Sequence, residues 1–224
     1  MKQNLLSNLV SNLITIFLSI FLVLSGVRLL MTPLFLQLEY NTPNFPADSY
    51  GFTKSDRLYW ANIALDYLLN DADISFLADL RFEDSQPVYN QRELQHMVDV
   101  KNVVRYALFA WYSTMVLLII TGVWAWRGKW FGLFRAALLR SVYFTFGLLV
   151  LILFFVLFVF NIFFVTFHNI FFTEGTWTFL FSDTLIRLFP ERFWRDAFIL
   201  VGGFALLIGL LLGLIIRYSF RNKK

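Results

Sequence analysis

Ala197-Phe-Ile-Leu-Val-Gly-Gly-Phe-Ala-Leu-Leu-Ile-Gly-Leu-Leu-Leu-Gly-Leu-Ile-Ile216 runs for twenty residues without a charge and is closed by Arg217. A helix rises about 1.5 Å per residue, so such a run spans the roughly 30 Å of a bilayer's hydrocarbon core. Within it Ala205, Gly209 and Gly213 recur every four residues, a small-residue stripe of the kind that lets membrane helices pack closely. Three more stretches of this type lie upstream. No charge interrupts the chain from Gln3 to Val27, which places a first span near 10–33. A second covers 106–126, between Arg105 and Arg127, and a third, 145–167, sits inside the uncharged run Ser141 to Thr173. The chain therefore reads as an all-α membrane protein, a four-transmembrane-helix bundle that takes up residues 1–224 as one membrane domain. The apolar run after Lys2 is too long for a signal-peptide core and no small-x-small site follows it, so it reads as an uncleaved anchor.

Composition agrees. The 224 residues are 58% hydrophobic and 20% aromatic, with 28 Phe and a mean hydropathy of +0.65, against about 45–50% apolar for soluble domains. There is no cysteine, which removes disulfides, cysteine metal sites and a cysteine nucleophile together. The net charge of +4 is no nucleic-acid signal, because the charges sort by loop. Segment 127–141 carries Arg127, Lys129, Arg135 and Arg140 and no acid, and the tail carries Arg217, Arg221, Lys223 and Lys224 and no acid. Segment 36–105 has eleven acids against six bases, and 166–196 has four against three. Basic loops stay in the cytoplasm, so both termini and the 127–141 loop are expected inside. Trp130, Phe131, Phe134 and Leu138 recur at helical spacing among the bases of that loop, as an interfacial helix would.

The extracytoplasmic insert, 36–104, then lies between the first two spans. Thr53 and Asp56 form a capping-box start. Leu58, Ala61, Leu65, Leu68 and Leu69 follow on one stripe, predicting a helix over 55–69. Residues 74–89 read as a short β-hairpin. Asn90 with Glu93 is a second capping signal, and nothing breaks the helix from Gln91 to Trp126. A second extracytoplasmic segment, 168–196, is dense in Phe and Trp. An interfacial aromatic belt explains most of these rings. His168, Asn169, Asp183 and Arg187 are interleaved with them, as a site for a lipid head group or ester would require.

The chain has two histidines, His96 and His168, and the topology puts both on the outer side. Histidine is the side chain whose ordinary pKa suits proton transfer near neutral pH. The pair reads either as a proton-transfer couple or as two ordinary interfacial histidines. No Gly-x-Ser-x-Gly elbow, His-Glu-x-x-His helix or phosphate loop is present. The two histidines lack metal-ligand spacing, so no metal is expected. Mid-span charges, the mark of ion pathways, are missing, and no internal repeat suggests a transporter. Arg28, near the outer end of the first span, reads as a snorkelling cation or a lipid contact.

Three motifs carry a resemblance: Tyr50-Gly-Phe-Thr-Lys-Ser-Asp-Arg57, Arg92-Glu-Leu-Gln-His-Met-Val-Asp-Val-Lys101, and His168-Asn-Ile-Phe-Phe-Thr-Glu-Gly-Thr-Trp177 continued by Leu188-Phe-Pro-Glu-Arg-Phe-Trp194. Together with span order and insert they resemble the lipoprotein intramolecular transacylase family over nearly the whole chain. The resemblance implies a multi-pass protein of the bacterial cytoplasmic membrane acting at the outer leaflet on diacylglyceryl lipoproteins. It would move the sn-2 acyl chain to the N-terminal α-amino group and leave an N-acyl, S-monoacylglyceryl (lyso-form) product. It implies His168 and His96 as catalytic residues; beside them, Arg28, Asp99, Glu174, Arg187 and Trp177 are candidates for binding or orienting the lipid. Cofactors, metals and nucleic acid are not called for; membrane lipids and lipoproteins are the partners. The alternatives are a non-enzymatic lipid- or lipoprotein-binding membrane protein, or an enzyme on other lipid esters such as a lysophospholipid acyltransferase. The topology is open to a direct check: alkaline phosphatase fused after Asp84 is expected to be active, and an inactive but expressed fusion overturns the orientation.

Overall fold

The computed structural model describes residues 5–173 and 175–221; Glu174 is among the residues outside that description. Nine helices are found among the described residues, and four of them are long and apolar enough to cross a membrane. The chain folds as two compact units, which are taken in turn.

The first unit comprises residues 1–29, 107–154 and 199–224. It draws on α1 (Leu5–Leu30), α5 (Gln91–Arg127), α6 (Phe131–Phe158) and α9 (Glu191–Arg221). Lipid offers no hydrophobic drive for one apolar helix to join another, so packing depends on close approach and on polar contacts. Both are present. A Cβ on Gly26 would lie 2.5 Å from the carbonyl oxygen of Val201, so α1 and α9 meet backbone to backbone at that level. The stripe on α9 packs too: Ala205 is fully buried, and Cβ atoms on Gly209 and Gly213 would rest 3.5 Å from Leu22 and 3.6 Å from Val142. Leu18, Leu22, Leu149 and Ala205 form one buried cluster, and Ile14, Ala125, Phe134 and Ala137 another. Polar side chains tie the helices further. Ser141 Oγ donates to the carbonyl of Ile14, Arg140 to Ser11, Arg135 to the carbonyl of Ile216, and Trp111 Nε1 to Ser25 Oγ.

The second unit comprises residues 30–106 and 155–198. After α1 the chain turns at Thr32, whose hydroxyl caps α2 (Pro33–Tyr40), with Pro33 at the position where its missing N–H costs nothing. The capping box expected at Thr53 and Asp56 is formed and opens α3 (Lys54–Leu69). The buried face of α3 is rotated from the simple leucine stripe. It presents Arg57, Ala61, Ala64, Leu65 and Tyr67, while Leu69 is exposed. The hairpin expected over 74–89 is not formed. Asp73 accepts from the Ser75 amide and hydroxyl, and α4 (Ser75–Ala78) winds a single turn where the first strand was expected. What is left is one antiparallel bridge, Arg81 with Pro87. Proline has no N–H to extend the ladder, and no strand occurs among the described residues. The apolar residues that suggested the hairpin serve the core instead: Leu77, Val88 and Tyr89 are buried with Ala64, Tyr67, Leu94, Met97, Leu185 and Leu188.

Helix α5 is continuous over 37 residues, about 55 Å, far more than a bilayer needs. Arg92, Glu93, Asp99, Lys101 and Arg105 all precede Tyr106, so the charge-free stretch able to cross begins there and 91–105 stands clear of it. The chain also leaves the helix inside 145–167. Val159 sits at φ −140°, ψ 44° between α6 and α7 (Phe160–Phe171), without a Gly or Pro. The break turns Phe160 inward, 6% exposed and under the Arg195 guanidinium, while Phe158 stays 71% exposed. His168 therefore rides on its own short helix rather than on a rod continuous from Ser141.

Crowding at Gly26 is testable. Overpacking a close contact costs about 1–3 kcal/mol, so Gly26→Val should lower the melting temperature in detergent by several degrees. Gly203→Ala, with nothing within 4 Å of its added Cβ, should leave it unchanged.

Candidate active site

The site lies within the second unit and is assembled by the start of α5, the end of α7 and the aromatic chain that follows. The start of α5 is fastened first. Asn90 Oδ1 accepts from the Glu93 amide at 3.1 Å while a Glu93 carboxylate oxygen accepts from the Asn90 amide at 2.8 Å, the reciprocal cap expected from the sequence. The other Glu93 oxygen accepts from the Leu185 amide at 2.6 Å, at the start of α8 (Thr184–Leu188). Thr184 Oγ1 donates to the Val88 carbonyl and Asn90 Nδ2 to Asp183. Glu93 is 1% exposed, and burial raises its carboxyl above the ordinary range despite the amides that oppose the shift. This knot holds the first turns of α5 against residues 183–185.

His96 follows one turn later and His168 approaches from α7. The two rings are 6.3 Å apart between centroids and within 19° of parallel. Around them stand Phe172 and Phe179, edge-on to His96 at 4.8 and 5.3 Å, Phe164 at 4.0 Å from His168, and Trp177 at 4.8 Å from His168. Both histidines are buried. His168 Nδ1 lies 2.8 Å from the carbonyl oxygen of Phe164, one turn back on the same helix. A carbonyl only accepts, so Nδ1 carries the hydrogen and Nε2 keeps a free lone pair. Among the described residues, His96 Nδ1 and Trp177 Nε1 are buried with no hydrogen-bond partner, and an unmet buried polar atom costs about 1–3 kcal/mol. Both rings pack on that of His168. Burial, with the His168 ring nearby as a smaller cause, pushes the His96 imidazole down to about 4; burial also lowers His168. Both rings are therefore neutral near pH 7.

The remaining candidates are dispersed. Asp99 accepts from Gln95 on its own helix. Arg187, on α8, is paired with Asp48 at 3.0 Å, and its guanidinium stacks 3.5 Å over Phe52. Arg28 is in the last turn of α1, in the other unit. Glu174 lies outside the described residues. The sequence reading passed over Phe164, whose contribution is a backbone carbonyl and which no side-chain pattern reveals. It also passed over Asp48, hidden in a turn-rich loop. No group of three or more His, Cys, Asp or Glu able to hold a metal occurs among the described residues.

Residues 12–194 match the family of lipoprotein intramolecular transacylase Lit. The chain belongs to that family. Lit proteins are thus its relatives over most of its length, and it is a multi-pass membrane protein like them. It is 33% identical over 190 residues to an uncharacterised protein of Aquifex aeolicus (strain VF5), covering 82% of each chain. Among solved structures it is similar to the membrane-integral Lit of Bacillus cereus, with a TM-score of 0.82, 20% identity and 99% of both chains covered. A variant of that protein with one histidine replaced by alanine matches at a TM-score of 0.68, 21% identity and 99% of both chains. At these identities the two structures speak for the fold of Lit.

The buried imidazole of His96 has a consequence for stability. Its folded pKa lies below the unfolded value near 6.5, so the unfolded state binds the proton more readily. Its contribution is fully present above pH 6.5 and is lost as pH falls from 6.5 toward 4, by up to about 3 kcal/mol. Melting temperature in detergent should fall across that window, and His96→Gln should flatten the fall.

Proposed function

We propose that the protein transfers the sn-2 acyl chain of a diacylglyceryl-modified cysteine to the α-amino group of that same cysteine, producing a lyso-form lipoprotein. In this reading the reaction runs at the outer leaflet of the bacterial cytoplasmic membrane, with both termini in the cytoplasm. Family membership supports the reaction class. The observation that carries the chemistry is the bond from His168 Nδ1–H to the Phe164 carbonyl, which leaves Nε2 as a free base beside a second, neutral imidazole.

The substrate amine, with a pKa near 7.7–8.0, gives up its ammonium proton to the aqueous phase, and the neutral amine attacks the sn-2 ester carbonyl carbon. His168 Nε2 takes the proton released as the C–N bond forms. The tetrahedral intermediate collapses by breaking the C–O bond to glycerol, and the proton on His168 passes to the leaving glyceryl oxygen, so the ring ends as it began. His96, kept neutral, donates an N–H to the developing oxyanion. Amine and ester belong to one molecule, so holding them together exploits effective molarities of roughly 10⁵–10⁸ M. An ester becomes an amide, which is downhill, and the reading invokes no nucleotide, metal or enzyme nucleophile. Trp177, its indole N–H unpartnered beside His168, orients the acyl group. Arg28, Asp99, Glu174 and Arg187 are proposed as lipid-contacting or orienting residues.

The test is mass spectrometry of lipoprotein N-terminal peptides from a host lacking its own N-acyltransferase. Wild type should yield N-acylated peptides with unchanged total acyl content. His168→Ala should cut conversion by about 10²–10⁴-fold, the usual contribution of a positioned base, and His96→Ala should also lower it. Free amines in all three strains, with the protein present in the membrane, would sink the transacylase reading and leave a lipid- or lipoprotein-binding protein. Unchanged conversion in both variants would sink the histidine mechanism alone.

A further inference from the structure

The second unit also contains a cavity of about 650 Å³. Phe160, Phe164, Ile186 and Trp194 contribute apolar wall, and Arg57, Asp48, Arg187, Glu191 and Arg192 bring charge to it. Most of that charge is already matched. Arg187 is paired with Asp48, Arg192 with Asp196, and Glu191 with Arg195. Asp48 is further engaged by the amides of Tyr50 and Phe52.

Arg57 is the exception. It is 5% exposed, yet has no carboxylate within 4 Å among the described residues. One terminal nitrogen donates to the Pro46 carbonyl at 2.7 Å, and the buried Nε has no partner among the described residues. The guanidinium lies 5.2 Å from the Tyr40 ring centroid and 5.0 Å from that of Phe45. Those aromatic faces offset part, but not all, of the cost of desolvating the charge. Asp48 is near enough to be felt but is committed elsewhere. A buried cation of planar, forked geometry, short of one negative charge and lining a largely apolar cavity, matches a particular ligand chemistry. The ligand carries one anionic oxygen-rich group on an apolar body. Inorganic phosphate lacks the body, and a neutral diacylglycerol lacks the charge. In a membrane-embedded chain the amphiphile present at high local concentration is phospholipid.

We propose that this cavity is a binding site for an anionic membrane phospholipid, with Arg57 meeting the phosphate and the Phe160–Phe164 wall meeting the glycerol and upper acyl chain. Phe164 belongs both to this wall and, through its carbonyl, to the hydrogen bond that orients His168. A bound lipid therefore touches the residue that sets the imidazole.

Native mass spectrometry of the full-length protein released from detergent tests this, with dioleoylphosphatidylglycerol, dioleoylglycerol and sodium phosphate as separate probes. Wild type should retain one phosphatidylglycerol. Arg57→Gln should weaken its retention at least tenfold, and Arg57→Lys, which keeps the charge and loses the fork, should weaken it less. Ser49→Glu, an exposed position on the cavity lining, should weaken it by added negative charge without disturbing the buried stack, and decides the matter if Arg57→Gln does not fold. Dioleoylglycerol should bind wild type and Arg57→Gln alike. The proposal fails if folded Arg57→Gln or Ser49→Glu protein retains phosphatidylglycerol as wild type does. It also fails if dioleoylglycerol shows the same Arg57 dependence, or if millimolar phosphate displaces the lipid completely, which would make this a free-anion site. His168→Ala should bind lipid normally, so loss of this site and failure of the acyl-transfer reading are separately visible.

Discussion

Glu93 is a carboxylate with almost no access to solvent, and its two oxygens face different parts of the chain. One satisfies the amide of Asn90, an orphan donor at the start of α5. The other takes the amide of Leu185, ninety-two residues further along. Burying such a group would be costly without these donors, and with them it becomes a bracket of defined length. The placement of His96 follows from that bracket. It sets where α5 begins, hence where His96 stands one turn later, and it holds the 183–185 strap that closes the aromatic segment beside His168. Leucine or glutamine at this position would fill the space but leave at least one of the amides without its charged acceptor.

The chemistry of the cluster depends on exclusion as much as on contact. Phenylalanine and tryptophan rings surround both imidazoles and present no competing acceptor. In that environment a protonated imidazole is disfavoured, so each ring rests in the form that can accept a proton at one nitrogen and donate at the other. The Nδ1 of His96 and the indole N–H of Trp177 are buried without a hydrogen-bond partner among the described residues, at a cost the fold meets elsewhere.

Local signals in the sequence were the most legible. Thr53 with Asp56 and Asn90 with Glu93 announce two helix starts, and both caps are formed, because a cap is decided within four residues. The four apolar helices announce themselves through the bilayer's demand for length and the absence of charge. Features set by partners distant in sequence were not legible. The 74–89 stretch alternates like a strand, but Asp73 nucleates a turn and Pro87 ends the pairing, so its apolar residues enter a helical core. Arg57 occupies a face that periodicity would give to Leu58, because its guanidinium finds Tyr40, Phe45 and the Pro46 carbonyl. In the site, the two histidines could be singled out as the only pair, yet the role of Phe164 rests on a carbonyl, which every residue has. Gly26 gave no stripe to read; its need is visible only once Val201 stands against it.

The bond that orients His168 is made to the fourth residue back along its own helix. Its existence therefore depends on one turn of α7 and on nothing brought from afar. The choice of tautomer is set by a bond local to that turn, whatever stands against the ring's faces. Substitutions in the surrounding cage can then alter how well the ring is shielded without altering which of its nitrogens carries the hydrogen.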